Sequence, residues 1–259
     1  MASATRRLIN WAAAFEDGAL IRAAFFGLLS ATAVILYLDY SELSSRAPPP
    51  DAGSLSPILP AFDPNAPQGT PGPEITTPPA TLQAPLNVAL VSGGVLQLTG
   101  TIVPGSADRV AAEVAAHGEY VKTVALDSPG GAVGEALKIG QLIRDKGFAT
   151  SVAAGALCAS SCPLVFAGGK ERIATARSAI GVHQIYAAVP TASLGSQIQA
   201  AGQAMSDAQT MTAQIARYLT QMGVNEEVWL RALETPPDRL TYLNANDLKR
   251  LNLATRLDQ

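Results

Sequence analysis

Apolar residues run almost unbroken through "GALIRAAFFGLLSATAVILYL", Gly18–Leu38, with Asp17 and Asp39 at either end. As a helix this run spans about 30 Å, the thickness of a bilayer core. The pattern then collapses. Ser44 to Pro85 has no period and carries 12 of the chain's 18 prolines. Such a stretch cannot bury enough apolar surface to offset its ordering entropy, so it reads as an extended spacer. From Leu86 onward, short apolar strands alternate with helix-period segments. "NVALVSGGVLQLTGTI" reads as two strands about a Ser-Gly-Gly turn, "KTVALD" and "FATSVAA" as strands. "SADRVAAEVAAHG" and "AVGEALKIGQLIRDKG" read as helices stopped by Gly118 and Gly147. "SDAQTMTAQIARYLTQMG" puts Met211, Ile215, Leu219 and Met222 on one face, and Asn225 and Asn244 cap two further helices. Alternating strand and helix predicts an α/β domain with parallel pairing.

Four segments follow: residues 1–17 as a cytoplasmic N-terminus, 18–39 as a transmembrane anchor, 40–85 as the proline-rich linker, and 86–259 as the folded domain. Arg6 and Arg7 precede the apolar run, while Asp39 and Glu42 follow it. The positive-inside rule keeps the N-terminus in the cytoplasm and sends the domain across the inner membrane to the periplasm. A cleaved signal peptide is the rival reading. The run is long for one, and "SSRAPPP" is a poor cleavage site because proline follows the small residue.

Composition narrows the function. A net charge of −3 over 259 residues gives no basic surface for nucleic acid. Two histidines and two cysteines give no metal-ligand spacing. No cofactor and no metal is expected.

The candidate chemistry lies in four places. "DSPGG" ends a strand and turns into a helix through paired glycines, which let backbone N–H groups face a ligand or only make a tight turn. "CASSCPLVFAGG" places Ser160 and Ser161 at a strand-to-helix turn, as a nucleophile beside an oxyanion donor or as helix caps. His183 ends the apolar strand "SAIGVHQ", as a general base or a hydrogen-bonded strand end. Asp238 follows two prolines in "TPPDRL", as the carboxylate that orients an imidazole or as a turn residue paired with Arg239. His117 precedes a helix-stop glycine and is assigned no catalysis.

The order of these pieces resembles the Clp protease proteolytic subunit and its membrane-linked relatives, the signal-peptide peptidase A and NfeD-type serine proteases of the crotonase superfamily. "DSPGG", "CASSC", "GVHQ", "TPPDR" and "NANDLKRLNLAT" carry the resemblance, which covers roughly Val95 to Thr255. It implies a Clp/crotonase-like spiral of ββα units. It implies Ser160 as nucleophile, with Ser161 one register away as the alternative, His183 as base and Asp238 as its orienting carboxylate. The N–H groups of Gly131 and Ser161 become the oxyanion hole, with Gly130 beside it. Residues 191–208 fall where the Clp subunit has its handle helix, and a homo-oligomer is expected. Lysine-dependent relatives need a base that this chain does not offer between Glu171 and Leu248.

Cys158 and Cys162 bracket the serine pair. Residues four apart on a helix lie near the limit for a disulfide, and the periplasm permits one. Two small buried thiols are the alternative.

The expected function is a membrane-anchored, ATP-independent serine endopeptidase. It would take extended or membrane-derived polypeptides and need no ATPase partner. A catalytically degenerate peptide-binding or scaffolding protein is the first rival. An acyl-CoA hydratase or isomerase using Glu135 is the second.

Overall fold

The computed structural model describes residues 17–45, 73–185 and 194–258. The chain divides into two units, Met1–Ser54 and Leu55–Gln259. The expectations for residues 1–16, for linker residues 46–72 and for the start of the handle region, 191–193, lie outside the described residues.

In the first unit, helix α1 runs Asp17–Ser45. Its window Ile21–Leu38 has a mean hydropathy of 1.9 and buries none of its surface. A helix apolar on every side has no preferred face to bury, which suits lipid. It is long and apolar enough to cross a membrane.

In the second unit, a short helix α2 (Pro79–Gln83) leads into a hairpin of β1 (Asn87–Val91) and β2 (Val95–Thr99). The turn between them uses Gly93 and Gly94, both at positive φ. Then come α3 (Ser106–His117), β3 (Thr123–Asp127), α4 (Val133–Lys146), β4 (Ala149–Ser151), β5 (Leu157–Ala159), α5 (Cys162–Ala167), β6 (Arg172–Thr175) and β7 (Ala179–Val182). Helices α6 (Leu194–Gln221), α7 (Glu227–Glu234) and α8 (Ala245–Arg250) complete the unit with β8 (Thr241–Tyr242) and β9 (Arg256–Asp258).

The strands form two sheets, ordered β1-β2-β3-β4-β6-β9 and β5-β7-β8. The β1–β2 and β7–β8 pairs are antiparallel, and every other pair is parallel. Parallel strands need crossovers, and α3 and α4 supply two of them. Helix α3 buries Val110 and Val114 on one stripe, and α4 buries Ala136, Ile139 and Ile143. Those stripes pack with Leu96, Leu98, Val124 and Leu126 from β2 and β3 into one core. A single bridge, Ser128 to Cys158, joins the end of β3 to β5 and so couples the two sheets.

Folded structure begins before Leu86, which revises the sequence boundary. Thr76 N donates to Gly155 O at 2.9 Å, and Thr101 Oγ1 donates to Leu82 O at 2.9 Å. Leu82 is 1% exposed and packs with Leu157, Ala159, Ala179 and Leu240, with Ile75 against the same cluster. Residues 73–78 carry no regular structure and prolines start the short α2, and such a strap can still dock along a sheet when it carries apolar anchors. Ile75 and Leu82 are those anchors.

Candidate active site

Two parallel strands bring the candidate serine and histidine together. In the β5–β7 register, Ala159 lies opposite Gly181. Ser160 comes one residue after Ala159 and His183 two residues after Gly181, just past Val182 at the end of β7, so both leave the same end of the sheet. Ser160 N donates to Gly181 O at 3.0 Å, which carries the pairing one residue past β5. Ser160 Oγ and His183 Nε2 lie 2.7 Å apart.

Ser160 sits at φ +60°, in the left-handed region that non-glycine residues avoid. That conformation costs roughly 1–2 kcal/mol relative to ordinary backbone. The turn spends this energy to reverse direction between β5 and α5 and so to lift the hydroxyl toward the imidazole. Pro163 sits in the first turn of α5, where its missing N–H costs nothing. Cys158 and Cys162 are joined by a disulfide across this turn, with Cα atoms 5.1 Å apart.

Burial holds the His183 pKa below its ordinary value by penalising the charged ring. A neutral imidazole can take the Ser160 proton on Nε2 only as the tautomer that carries hydrogen on Nδ1. That Nδ1 is buried and has no hydrogen-bond partner among the described residues. Asp238 does not fill the place. Its side chain is 69% exposed and faces Arg239 Nε at 3.9 Å. The reason is local: the Pro236–Arg239 turn, closed by Arg239 N to Pro236 O at 3.1 Å, carries Asp238 on its outer side. The assignment of Asp238 as the orienting carboxylate is therefore corrected, and the geometry present is a serine–histidine pair.

The glycine turn lies against the serine. Ile102 N donates to Gly130 O at 2.8 Å, and Ala132 N donates to Ile102 O at 2.7 Å. Gly130 N donates to Ser128 Oγ at 3.1 Å. These bonds fix Gly130 at φ +93° and Gly131 at φ +140°. A Cβ on Gly130 would come within 2.7 Å of both Ser160 Cβ and Ser161 N, so only glycine permits this approach. Neither Gly131 N nor Ser161 N has a hydrogen-bond acceptor among the described residues. Two undonated amides beside a hydroxyl–imidazole pair are the parts needed to bind an oxyanion.

Ser161 is 2% exposed, and its Oγ has no hydrogen-bond partner among the described residues. The hydroxyl that meets the imidazole belongs to Ser160. His117 stands in the last turn of α3, 3.9 Å from Glu113 and outside this site. Glu135 accepts from Ala107 N at 2.9 Å and pairs with Lys138 at 3.2 Å. The Ala107 hydrogen bond, then Lys138, holds its carboxyl below the usual range.

Sequence reasoning missed Asp127. Its Oδ1 accepts from Leu157 N at 2.9 Å, and its Oδ2 accepts from Thr77 Oγ1. Ser128 N donates to Leu157 O at 2.7 Å, and Ala159 N donates to Ser128 O at 3.0 Å. The Asp127–Ser128 pair thus ties the glycine turn, β5 and the strap into one frame. The visible signal was a carboxylate ending an otherwise apolar strand, where a half-buried charged group needs partners.

No family model matches the chain, and no curated protein matches it. Among solved structures, the chain is similar to a ClpP1 point mutant from Listeria monocytogenes, at 16% identity and a TM-score of 0.49. That likeness covers 64% of this chain and 91% of the other.

Proposed function

We propose that this chain is a serine peptidase of the Clp/crotonase type, tethered to the inner membrane with its folded domain in the periplasm. The observation that carries the reading is the 2.7 Å contact between Ser160 Oγ and His183 Nε2. Around it stand a histidine kept neutral by burial and two amides with no acceptor among the described residues.

Ser160 Oγ attacks a peptide carbonyl carbon as His183 Nε2 takes the hydroxyl proton. Gly131 N and Ser161 N donate to the carbonyl oxygen as it becomes an oxyanion. The imidazolium returns the proton to the leaving amine, and the C–N bond breaks to leave an acyl-Ser160 ester. Water, deprotonated by the same imidazole, attacks the ester and frees the carboxylic acid. Extended polypeptides are the substrates that fit, because the periplasm supplies no ATP for unfolding. Arg6 and Arg7 before α1 support the orientation.

The partnerless Nδ1 of His183 and the outward Asp238 favour one second reading, a degenerate relative that binds peptides without cutting them. An acyl-CoA reading through Glu135 has no support here, because that carboxylate is occupied by Ala107 N and Lys138. The test is hydrolysis of a fluorogenic unfolded polypeptide by the full chain in detergent, without nucleotide. Turnover that Ser160→Ala abolishes supports the peptidase. Peptide binding without turnover, equal in Ser160→Ala, supports the second reading.

A further inference from the structure

The disulfide stands at an unusual place. Cys158 and Cys162 are both wholly buried, and the bond between them closes a ring of residues whose middle member is the nucleophile. Its two ends are anchored differently. Cys158 is fixed in β5 by pairing with Ile180 and by the bridge to Ser128. Cys162 opens α5, whose six residues are all buried. Between these anchors the backbone must pass through Ser160 at φ +60°.

No hydrogen bond within the ring accounts for that conformation. Ser160 N donates outward to Gly181 O, and the N-terminal residue of α5 has no side-chain cap. A non-glycine residue released from such a turn relaxes to negative φ. That rotation would carry Oγ away from His183 Nε2. The cross-link is the one covalent restraint that opposes it.

We propose that the Cys158–Cys162 disulfide is a positioning element for Ser160, and that the site becomes competent only after the bond has formed. The proposal rests on the peptidase reading above. It adds a control: a chain still in a reducing compartment folds with two thiols and an unset nucleophile turn, and oxidation on the far side of the membrane arms it. Complete burial of both sulfurs means that a reductant reaches the bond only when the turn opens. Once set, the clamp resists casual reduction.

The chemistry balances with a dithiol as reductant. Two electrons and two protons pass to the S–S bond, giving the Cys158 and Cys162 thiols, and the dithiol closes to its own cyclic disulfide. Arming is the reverse step, with a disulfide-bearing oxidant taking up the two electrons and two protons.

The experiment compares three samples of the full chain in detergent micelles. They are the oxidised protein, the protein reduced with dithiothreitol, and the Cys158→Ala/Cys162→Ala double variant. Thiols are counted by maleimide mass shift after denaturation. Labelling of Ser160 by a fluorophosphonate is timed, and amide hydrogen exchange is followed by mass spectrometry along the chain. The expected result is labelling about 5–30-fold slower in both samples that lack the bond, the population penalty of an unrestrained left-handed serine. Exchange should rise across residues 155–168 and stay unchanged in β1–β3.

Unchanged labelling and exchange with both thiols counted would overturn the proposal. So would exchange that rises throughout the domain, because the bond would then hold the whole fold and not the turn. If the oxidised protein does not label at all, the peptidase reading fails, and exchange across residues 155–168 still decides whether the bond sets the turn.

Discussion

Replacing Gly130 with alanine tests how closely the glycine turn must approach the nucleophile. The added methyl would lie 2.5 Å from Ala159 O and 2.7 Å from Ser160 Cβ and Ser161 N, up to about 0.9 Å inside the shortest ordinary contact of 3.4 Å. None of these atoms is the far end of a flexible side chain, so the turn itself must move. Strain at φ +93° adds roughly 1–2 kcal/mol, and overpacking adds about 1–3 kcal/mol. The destabilisation expected is therefore about 2–5 kcal/mol, or a melting temperature about 4–20 °C lower. A displacement of this size at reacting groups costs up to about a hundredfold in rate. Gly134→Ala is the control, since nothing lies within 4 Å of its added methyl. The assay is the fluorophosphonate labelling rate of Ser160, read beside thermal unfolding by circular dichroism. Gly130→Ala that labels and melts like the parent would refute the close approach, and with it the assignment of Gly131 N to the oxyanion.

Three further outcomes follow from the same geometry. Labelling should rise with pH along a single titration whose midpoint lies below 6.5, because burial lowers the His183 pKa and only the neutral ring takes the proton. The same shift makes stability full above pH 6.5 and lost as pH falls toward the lower folded value; a midpoint above 6.5 would contradict both. Leu82→Ala should cost about 2–5 kcal/mol in a urea titration of the full chain, since Leu82 is buried at 1% exposure; a cost under about 0.5 kcal/mol would return residues 75–85 to the linker. Asp127→Ala should destabilise by about 1–3 kcal/mol by leaving Leu157 N without its acceptor, and Asp127→Asn should recover most of that by keeping an oxygen there; equal loss in both would tie the effect to charge.

The parts legible in the sequence were those governed by local rules. The β1–β2 hairpin was written in Ser-Gly-Gly between apolar runs, and the crossovers in the switch from strand to helix period. Asn244 caps α8 as read, its Oδ1 accepting from Asp247 N, whereas the N-cap of α7 is Glu226, one residue after the predicted Asn225, whose Oδ1 accepts from Glu227 N. The serine and histidine were nominated by the order of the motifs and the family resemblance it carries, since "CASSC" and "GVHQ" each have a plainer structural reading alone. What the sequence could not carry was distance. Nothing in "TPPDR" tells which way the turn directs Asp238, because that depends on where a two-residue β8 docks. Strands β6 and β9 are only a few residues long and were invisible as patterns. The strap was hidden by its own prolines: composition described the stretch as an extended spacer, and only the packing shows that it holds the short helix α2 and belongs to a core.

The measurement that tests the central claim most directly is fluorophosphonate labelling of the full chain, with the adduct located by mass spectrometry. Parent, Ser161→Ala and His183→Ala proteins are compared at pH 7.5. The account predicts an adduct on Ser160 in the parent and in Ser161→Ala, and labelling slowed by at least about a hundredfold in His183→Ala. An adduct on Ser161, or labelling that ignores the loss of His183, would contradict it.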